Sequence, residues 1–136
     1  MSDDIFSKIA RGEIPAKKIY ENDDVLSFMD IAPVNKGHVL VIPKKKYVTV
    51  TEMPSELAGK FFKAVYTVAK AVEKATGAEG YNILINNNPA SGQEVLYVHA
   101  HIIPRFSNDG FRFGWRKLEY KEGEMDAFQK KIRSFL

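Results

Sequence analysis

The chain has 136 residues, of which 45% are hydrophobic and 27% charged, and this is enough for one globular domain, which we place over residues 1–136. It contains no cysteine, so disulfides, thiolate nucleophiles and cysteine-bound metal sites are excluded, and the three histidines become the residues to follow. The net charge of +3 comes from interspersed residues of both signs, without the basic stripe that nucleic-acid binding requires.

The first half of the chain is predicted to form a short helix and three strands. Apolar residues at helical spacing predict a helix from Asp4 to Arg11. Two short strands, Lys18 to Glu21 and Val25 to Met29, flank a turn-forming Asn-Asp-Asp triplet and are expected to pair as a hairpin. The β-branched run from His38 to Ile42 ends at a proline and is predicted to be a buried strand.

The second half is predicted to hold the principal helix, two strands and a terminal helix. Pro54 can begin a helix whose apolar stripe continues until Gly77 offers a C-terminal cap. Strands are predicted from Tyr81 to Ile85 and from Val95 to Ile103. A last helix has one apolar face, formed by Met125, Phe128, Ile132 and Phe135. Because strands and helices do not alternate, we predict an α+β fold with a sheet of about five largely antiparallel strands.

The last predicted strand carries two of the three histidines on one face. Period-two alternation places His99 and His101 on the same side as Tyr97 and Ile103. The opposite face is predicted to be core and consists of Leu96, Val98, Ala100 and Ile102. A glycine in the loop before the strand would let backbone N–H groups approach an anion. Taken alone, the histidine pair fits a phosphate site, a metal site or exposed strand residues.

Three separated motifs connect the chain to a known family. The segment Gly92–Arg105 closely resembles the histidine-triad (HIT) signature, in which histidines alternate with apolar residues along a strand. Asp30–Pro33 and Lys36–Lys44 resemble the other two motifs of that family, in the same order, and Ile5-Phe6 and Gly12–Ala16 also match. The resemblance covers nearly the whole chain and is closest to the nucleoside-phosphoramidase (Hint-type) branch, which implies a HIT-like fold.

The resemblance assigns the nucleophile to His99. A neutral imidazole, with an unperturbed pKa near ~6.5, can attack phosphorus without a metal. In the family the backbone carbonyl two residues earlier, here that of Tyr97, binds the other ring nitrogen and leaves the attacking nitrogen bare. His38 and His101 would hydrogen-bond phosphate oxygens or the leaving group, and Gln93 would stabilise charge on the phosphoryl oxygens. Taken alone, His38 also fits a core histidine.

The resemblance also implies a set of nucleotide-binding residues. Asp30 would accept bonds from the ribose hydroxyls and Asn86 would contact phosphate or ribose, although both also fit roles in turns. Ile14, Phe28 and Ile31 would enclose the base, and they fit a core position equally well. The whole predicted set is Ile14, Phe28, Asp30, Ile31, Asn86, Gly92, Gln93, Glu94, His99 and His101.

One departure from the family pattern concerns metal binding. Many prokaryotic relatives hold a structural zinc with a Cys-x-x-Cys pair, a histidine and the first histidine of the triad. Those four positions are here Asp4, Ser7, Lys46 and Tyr97, so all four ligands are replaced together. We therefore expect no metal or other cofactor. We hypothesise that Lys46 pairs with Asp4 while the hydroxyls of Ser7 and Tyr97 complete a polar cluster.

The resulting functional prediction is a hydrolase or transferase that cleaves a purine nucleotide at the α-phosphorus through a nucleotidyl-histidine. An adenosine phosphoramidate is the expected substrate, with AMP or an AMP conjugate as the ligand. The alternatives are a dinucleoside polyphosphate hydrolase, a nucleotide-binding protein with little turnover, and a metal-binding module that uses His38, His99 and His101.

We expect a cytoplasmic protein with neither nucleic acid nor a membrane as a partner, since no secretory signal and no stretch of ~20 apolar residues is present. The family implies a homodimer in which the principal helix and a sheet edge meet their copies. The aromatic residues Phe61, Phe62 and Tyr66 exceed what one helix stripe needs and agree with such an interface. Trp115 would approach the partner's site.

Overall fold

Five strands form one open antiparallel sheet in the computed structural model, which describes residues 4–136. The elements in chain order are α1 (Ile5–Ala10), β1 (Lys18–Glu21), β2 (Val25–Met29), β3 (Val39–Pro43), α2 (Ser55–Thr76), β4 (Gly80–Ile85), β5 (Ala100–Arg105) and α3 (Glu124–Arg133). The strand order is β1-β2-β3-β5-β4, and every neighbouring pair is antiparallel. The predicted α+β class and the five-stranded sheet are confirmed.

Local side-chain chemistry explains where the first hairpin turns and where the principal helix ends. The Asn22 carboxamide oxygen accepts hydrogen bonds from the N–H groups of Asp24 and Val25, at 2.9 and 3.0 Å, and so closes the turn between β1 and β2. Helix α2 begins after Pro54 and ends at Gly77, whose φ of 64° suits glycine. Both boundaries agree with the sequence prediction.

Helix α2 covers one face of the sheet and forms the main core with it. Its buried stripe, at spacings of three and four residues, consists of Phe61, Ala64, Val65, Val68, Ala69 and Val72. The sheet contributes Val25, Val39, Val41, Ala100 and Ile102 to the same cluster, and Val98 joins it from the segment before β5. Alternate residues of the strands therefore point away from α2, and they include Leu40 and His101, while His38 lies directly before β3.

The opposite face of the sheet is covered only in part. Helix α1 packs there with Phe6 and Ile9 against a second cluster formed by Leu26, Phe28, Leu40, Ile42 and Tyr97. Because α1 has only six residues, it leaves the rest of this face open. The candidate site lies in that opening.

The strand predicted to carry both His99 and His101 begins later than predicted, so His99 lies directly before it. Strand β5 starts at Ala100 instead of Val95, and the preceding residues are irregular. The N–H of Tyr97 donates to the carbonyl of Val95 at 2.8 Å, and this tight turn ends the alternation before Val98. Leu96, which we predicted to be core, is consequently 44% exposed.

The C-terminal helix α3 forms where its apolar face predicts, but that face is open. Met125, Phe128, Ile132 and Phe135 are between 51% and 84% exposed. Within the part of the chain that the structure describes, no helix is long and apolar enough to cross a bilayer.

Candidate active site

A cavity of about 560 Å³ opens on the face of the sheet that α1 leaves uncovered. Its walls come from α1 and the following loop, β2, β3, β4, β5 and the segment after β5. Most of the lining side chains are apolar, and the polar groups among them include Asp30, His38, Asn86, His99 and His101. The volume lies within the ~300–1,000 Å³ of small-molecule sites, and an apolar lining with a few polar groups is typical of them.

His99 has its tautomer fixed by the backbone. Its Nδ1 lies 2.6 Å from the carbonyl oxygen of Tyr97, and because a carbonyl can only accept, Nδ1 carries the hydrogen. Nε2 of the neutral ring is therefore bare. Burial lowers the pKa of His99, although the bond to the Tyr97 carbonyl and the charge of Asp30 act in the opposite direction. At neutral pH the buried ring presents an uncharged nitrogen that can act as a nucleophile.

His38 and His101 form a hydrogen-bonded pair with a defined direction. The N–H of Val34 donates to Nδ1 of His38 at 3.1 Å, so the hydrogen of neutral His38 is on Nε2. That Nε2 lies 2.9 Å from Nδ1 of His101 and donates to it. Neutral His101 must then carry its own hydrogen on Nε2. The pair thus makes His101, which lines the cavity, a hydrogen-bond donor.

Both members of this pair are uncharged at neutral pH. Burial lowers the pKa of His38, opposed by the charge of Asp30. Burial also lowers the pKa of His101 to about 4, and the neighbouring rings of His99 and His38 lower it further, whereas Asp30 opposes them. The tautomers described above are therefore the ones that meet a ligand.

Asp30 stands beside the histidine pair and serves the local turn as well. Its Oδ1 accepts from the N–H of Ala32 at 2.9 Å, and its Oδ2 lies 3.5 Å from Nε2 of His38. Ligand atoms of Asp30, His38 and His101 lie within 4.8 Å of one another, so among the described residues these three could hold a metal ion. This group differs from the predicted metal-binding trio, because Asp30 takes the place of His99.

More backbone N–H groups of the loop between β4 and β5 are hydrogen-bonded within the loop than we expected. The N–H groups of Ser91, Gly92 and Gln93 donate to the carbonyls of Asn88 and Pro89 within the loop, so they are not available to an anion. The N–H of Glu94, a residue that lines the cavity, has no hydrogen-bond partner between residues 4 and 136. The N–H of Val95, which also lines the cavity, has no partner among the described residues either, so both amides are open to a ligand.

Gly92 and Asn86 lie at the cavity wall. Gly92 has a φ of 102°, and a side chain there would place its Cβ 3.6 Å from the Asn86 carboxamide nitrogen. Of the two asparagines that follow Asn86, Asn87 binds a distant segment by accepting from the N–H of Val50, and Asn88 shapes the loop, where its carbonyl accepts from the N–H of Ser91.

The Gln93 side chain does not lie where we predicted. It is buried and outside the cavity lining. Its Oε1 accepts from the N–H of Asn88 at 2.7 Å, and its Nε2 donates to the carbonyl of Val48 at 2.7 Å. Both ends of the carboxamide therefore brace the loop, and Gln93 acts as a positioning residue.

The three apolar residues predicted to enclose a base all line the cavity. Phe28 is buried in the second cluster, and Ile14 packs against that cluster from the loop after α1. Ile31 lies at the mouth and is 94% exposed. A flat ring that enters between them would cover Ile31, which is otherwise an isolated apolar group in water.

Asp4 and Lys46, two of the four positions that the family resemblance assigns to zinc, form an ion pair. Nζ of Lys46 lies 2.7 Å from Oδ2 of Asp4, and the Ser7 hydroxyl donates to the same oxygen at 2.9 Å. Asp4 also caps α1 by accepting from the N–H of Ser7 at 2.8 Å. An ammonium and a hydroxyl do not suit Zn²⁺, which takes thiolates, imidazoles and carboxylates, so these residues do not fit the metal.

Tyr97 belongs to a different set of contacts from the one we hypothesised. Its hydroxyl donates to the carbonyls of Pro43 and Lys44, at 2.5 and 3.1 Å, and not to the Asp4 cluster. Burial raises the pKa of Tyr97, and the nearby charge of Asp4 adds to the effect. The side chain anchors the nucleophile's segment to the end of β3.

Sequence reasoning missed part of the wall. Phe111 and Phe113 line the cavity from the segment after β5, and the N–H of Val34 sets the tautomers of the histidine pair. The alternation of two aromatic residues directly after Gly110 was the available signal for the first two. The sequence holds no signal for the backbone bond of Val34.

Comparison with known proteins adds four findings. A family model described as the HIT domain matches residues 11–108. An adenosine 5'-monophosphoramidase of Schizosaccharomyces pombe is 40% identical over 131 residues, which cover 96% of each chain. A HIT-like protein of Methanocaldococcus jannaschii is 47% identical over 131 residues, with 95% of this chain and 98% of the relative covered. The crystal structure of a HIT family member from Bacillus subtilis has a TM-score of 0.93 at 40% identity, covering 99% of this chain and 98% of the other.

Proposed function

The chain belongs to the HIT family, and from that premise we propose that it is a nucleotidyl hydrolase that cleaves the P–N bond of adenosine phosphoramidates through an intermediate on His99. The observation that carries the proposal is the bare Nε2 of His99, which the 2.6 Å bond between Nδ1 and the Tyr97 carbonyl fixes beside a nucleotide-sized cavity. Relatives named as adenosine 5'-monophosphoramidases, 40% and 35% identical to this chain, support the same chemistry.

The reaction proceeds in two displacements at phosphorus. In the first, Nε2 of His99 forms a bond to the α-phosphorus while the P–N bond breaks, and the amine leaves with its electron pair. In the second, water attacks the phosphorus, the bond to Nε2 breaks, and AMP is released. One water is consumed: its hydroxyl ends on phosphorus and its proton on the amine. The positive charge on the ring during the intermediate is stabilised by the Tyr97 carbonyl, which already accepts from Nδ1.

The other residues of the cavity bind and orient the nucleotide. His101 donates from Nε2 to a phosphoryl oxygen or to the leaving nitrogen, because its Nδ1 accepts from His38. Oδ2 of Asp30 accepts from the ribose hydroxyls. Phe28 and Ile31 enclose the adenine ring. The N–H of Glu94 binds a second phosphoryl oxygen.

The test is hydrolysis of adenosine 5'-phosphoramidate by the wild type and by His99→Ala. We expect the variant to lose at least ~10³-fold in kcat/KM, since loss of a nucleophile removes the covalent route. After acid quenching, peptide mass spectrometry should find one AMP group on the peptide that contains His99. As a matched control, Lys70→Ala removes an exposed side chain of α2 and should leave the rate unchanged. A wild type no faster than His99→Ala would refute the proposal.

Three further measurements separate the alternative functions. A dinucleoside polyphosphate hydrolase would turn over diadenosine polyphosphate faster than the phosphoramidate. A nucleotide-binding protein without turnover would bind AMP with no label on His99. A metal-binding module would retain a stoichiometric metal at Asp30, His38 and His101 after dialysis. The amount of metal retained would be the same with and without nucleotide.

We also propose that a second copy of the chain covers the exposed apolar surface of α2 and β4. Strand β4 pairs only with β5 and therefore lies at an edge of the sheet, where Tyr81 and Ile83 are exposed. Phe62 and Tyr66 are exposed on α2. Light scattering coupled to size exclusion should give the mass of a dimer, and Ile83→Lys should give that of a monomer. A monomeric wild type at micromolar concentration would contradict this.

A further inference from the structure

The cavity has a second apolar end that the nucleotide itself does not need. Paired residues of the sheet form a row across it, from Phe28 on β2 through Leu40 on β3 and His101 on β5 to Leu84 on β4. The base-binding residues lie at the β2 end of this row, and the phosphorus-binding histidines lie in its middle. The β4 end is therefore the space left for the group that leaves phosphorus.

Apolar and aromatic side chains line the β4 end. Leu84 and Ile103 come from the sheet, and Phe111 and Phe113 come from the segment after β5. The two phenylalanine rings lie 4.8 Å apart with an angle of 89° between their planes, in an edge-to-face arrangement. A flat ring entering this space would contact these two phenylalanine rings and become the third ring of the cluster.

An ion pair between half-buried residues, which we call the clasp, fixes the two phenylalanines. The Arg105 guanidinium binds both carboxylate oxygens of Asp109, at 2.7 and 2.9 Å, and donates to the carboxamide oxygen of Asn82 at 2.7 Å. It also donates to the carbonyl of Phe111, and its Cζ lies 4.9 Å from the Phe111 ring centroid and 5.9 Å from that of Phe113. The guanidinium thus holds both the backbone and the rings of this segment.

The clasp is also connected to the segment before β3 that carries His38. Asp109 accepts from Nδ2 of Asn35 at 2.9 Å, and the carbonyl of Asn35 accepts from the N–H of His38 at 3.1 Å. The aromatic segment is therefore positioned relative to His38 by two successive bonds. Asp109 binds two nitrogens of the Arg105 guanidinium, so Arg105 is not available to bind a phosphate chain in the cavity.

We propose that Phe111 and Phe113, held by Arg105 and Asp109, form a leaving-group subsite that favours amines bearing an aromatic group. This inference rests on the proposed function and narrows it to one class of leaving group. Phe111 and Phe113 contact the amine, whereas Arg105 and Asp109 are positioning residues. The cavity lining also includes the cation Lys17, whose carbonyl accepts from the N–H of Met29 on β2, so it lies at the opposite end. A polyphosphate leaving group would enter apolar space in which Arg105 is already bound to Asp109, and the subsite selects against it.

The experiment compares two substrates that differ only in the leaving amine, the ethylamide and the 2-phenylethylamide of AMP. The wild type should show a KM about three- to tenfold lower for the phenylethylamide, the range that one aromatic contact gives. Phe113→Ala should bring the ratio of the two KM values close to one. Arg105→Lys should reduce the ratio in the same direction, because lysine lacks the fork that binds Asp109 and Asn82. Phe135→Ala, which removes an exposed ring outside the cavity lining, should keep the wild-type ratio.

Binding keeps this inference separate from the proposed function. Calorimetry with His99→Ala measures the dissociation constants of both amides without turnover. If the wild type hydrolyses neither amide, the proposed function fails, while a Kd ratio above three still supports the subsite. Equal KM and equal Kd for the two amides in the wild-type cavity would overturn the inference. So would a Phe113→Ala variant that weakens both amides by the same factor.

Discussion

The substitution Tyr97→Phe distinguishes the role of the Tyr97 backbone carbonyl, which binds His99, from the role of its side-chain hydroxyl. The backbone carbonyl of Tyr97 holds Nδ1 of His99, and the side-chain hydroxyl holds the carbonyls of Pro43 and Lys44. The substitution removes only the hydroxyl. We therefore expect a loss of stability with little change in the rate of catalysis.

The size of the stability loss follows from burial. The hydroxyl makes one short bond of 2.5 Å and shares its hydrogen with a second carbonyl at 3.1 Å. A net hydrogen bond contributes about 0.5–1.5 kcal/mol, and leaving a buried acceptor without a donor adds to the cost. Tyr97 is 1% exposed, so no water replaces the lost donor without a rearrangement. We expect the free energy of unfolding to fall by about 1–2 kcal/mol, which lowers the Tm by roughly 3–8 °C for a chain of this size.

The assay is urea unfolding followed by circular dichroism at one fixed protein concentration, since association shifts the apparent stability. Tyr20→Phe on the edge strand β1 is the matched control, because it removes the same atom from an exposed ring and should change the stability by less than ~0.5 kcal/mol. With adenosine 5'-phosphoramidate as substrate, kcat/KM of Tyr97→Phe should stay within about twofold of the wild type. A loss of tenfold or more in a folded variant would refute the assignment of catalysis to the backbone carbonyl. A stability loss no larger than that of the control would refute the role of the buried hydroxyl.

Three further predictions concern pH, metal and the core. Burial lowers the pKa of His99 and the neutral ring is the nucleophile, so kcat/KM should be retained as pH falls to 6.5 and be lost below it; an acid limb centred at or above 6.5 would contradict this. Dialysis against EDTA should leave the Tm unchanged, because the ion pair of Lys46 and Asp4 does not suit Zn²⁺, and a drop in Tm restored by Zn²⁺ would disprove this. Ser27→Ala should be neutral or stabilising by up to ~1 kcal/mol in urea unfolding, because the buried Ser27 hydroxyl has no partner among the described residues; a loss above that size would show that it has one.

Local signals in the sequence determine most of the elements. The bonds of Asn22 to its own turn and the glycine at the end of α2 act within a few residues, so pattern reasoning located both correctly. The start of β5 was predicted wrongly because it depends on a contact with a residue far away in the sequence. The N–H of Val98 donates to the carbonyl of Tyr47, and this contact places Leu96 outside the core.

The same distinction applies to the site. The motif identified which histidines meet, since it records residue types along single strands. It did not reveal that the Gln93 carboxamide is hydrogen-bonded to the backbone of Val48 and Asn88, which lie 45 and five positions away in the sequence. Nor did it reveal which nitrogen of His101 carries the hydrogen, because that depends on a backbone donor at Val34 and on the pairing of β3 with β5.

The bond between His38 and His101 joins residues 63 positions apart in the chain, across the central strand pair of the sheet. Pairing at such separation closes a long loop, whose entropy must be lost before the contact forms, so it belongs to the slow part of folding. Helix α2 can form early from local contacts, whereas the imidazole pair cannot exist until β3 and β5 have met. During refolding, the hydrogen-bonded pair thus appears together with the closed sheet, and regain of catalysis marks the completion of the whole fold.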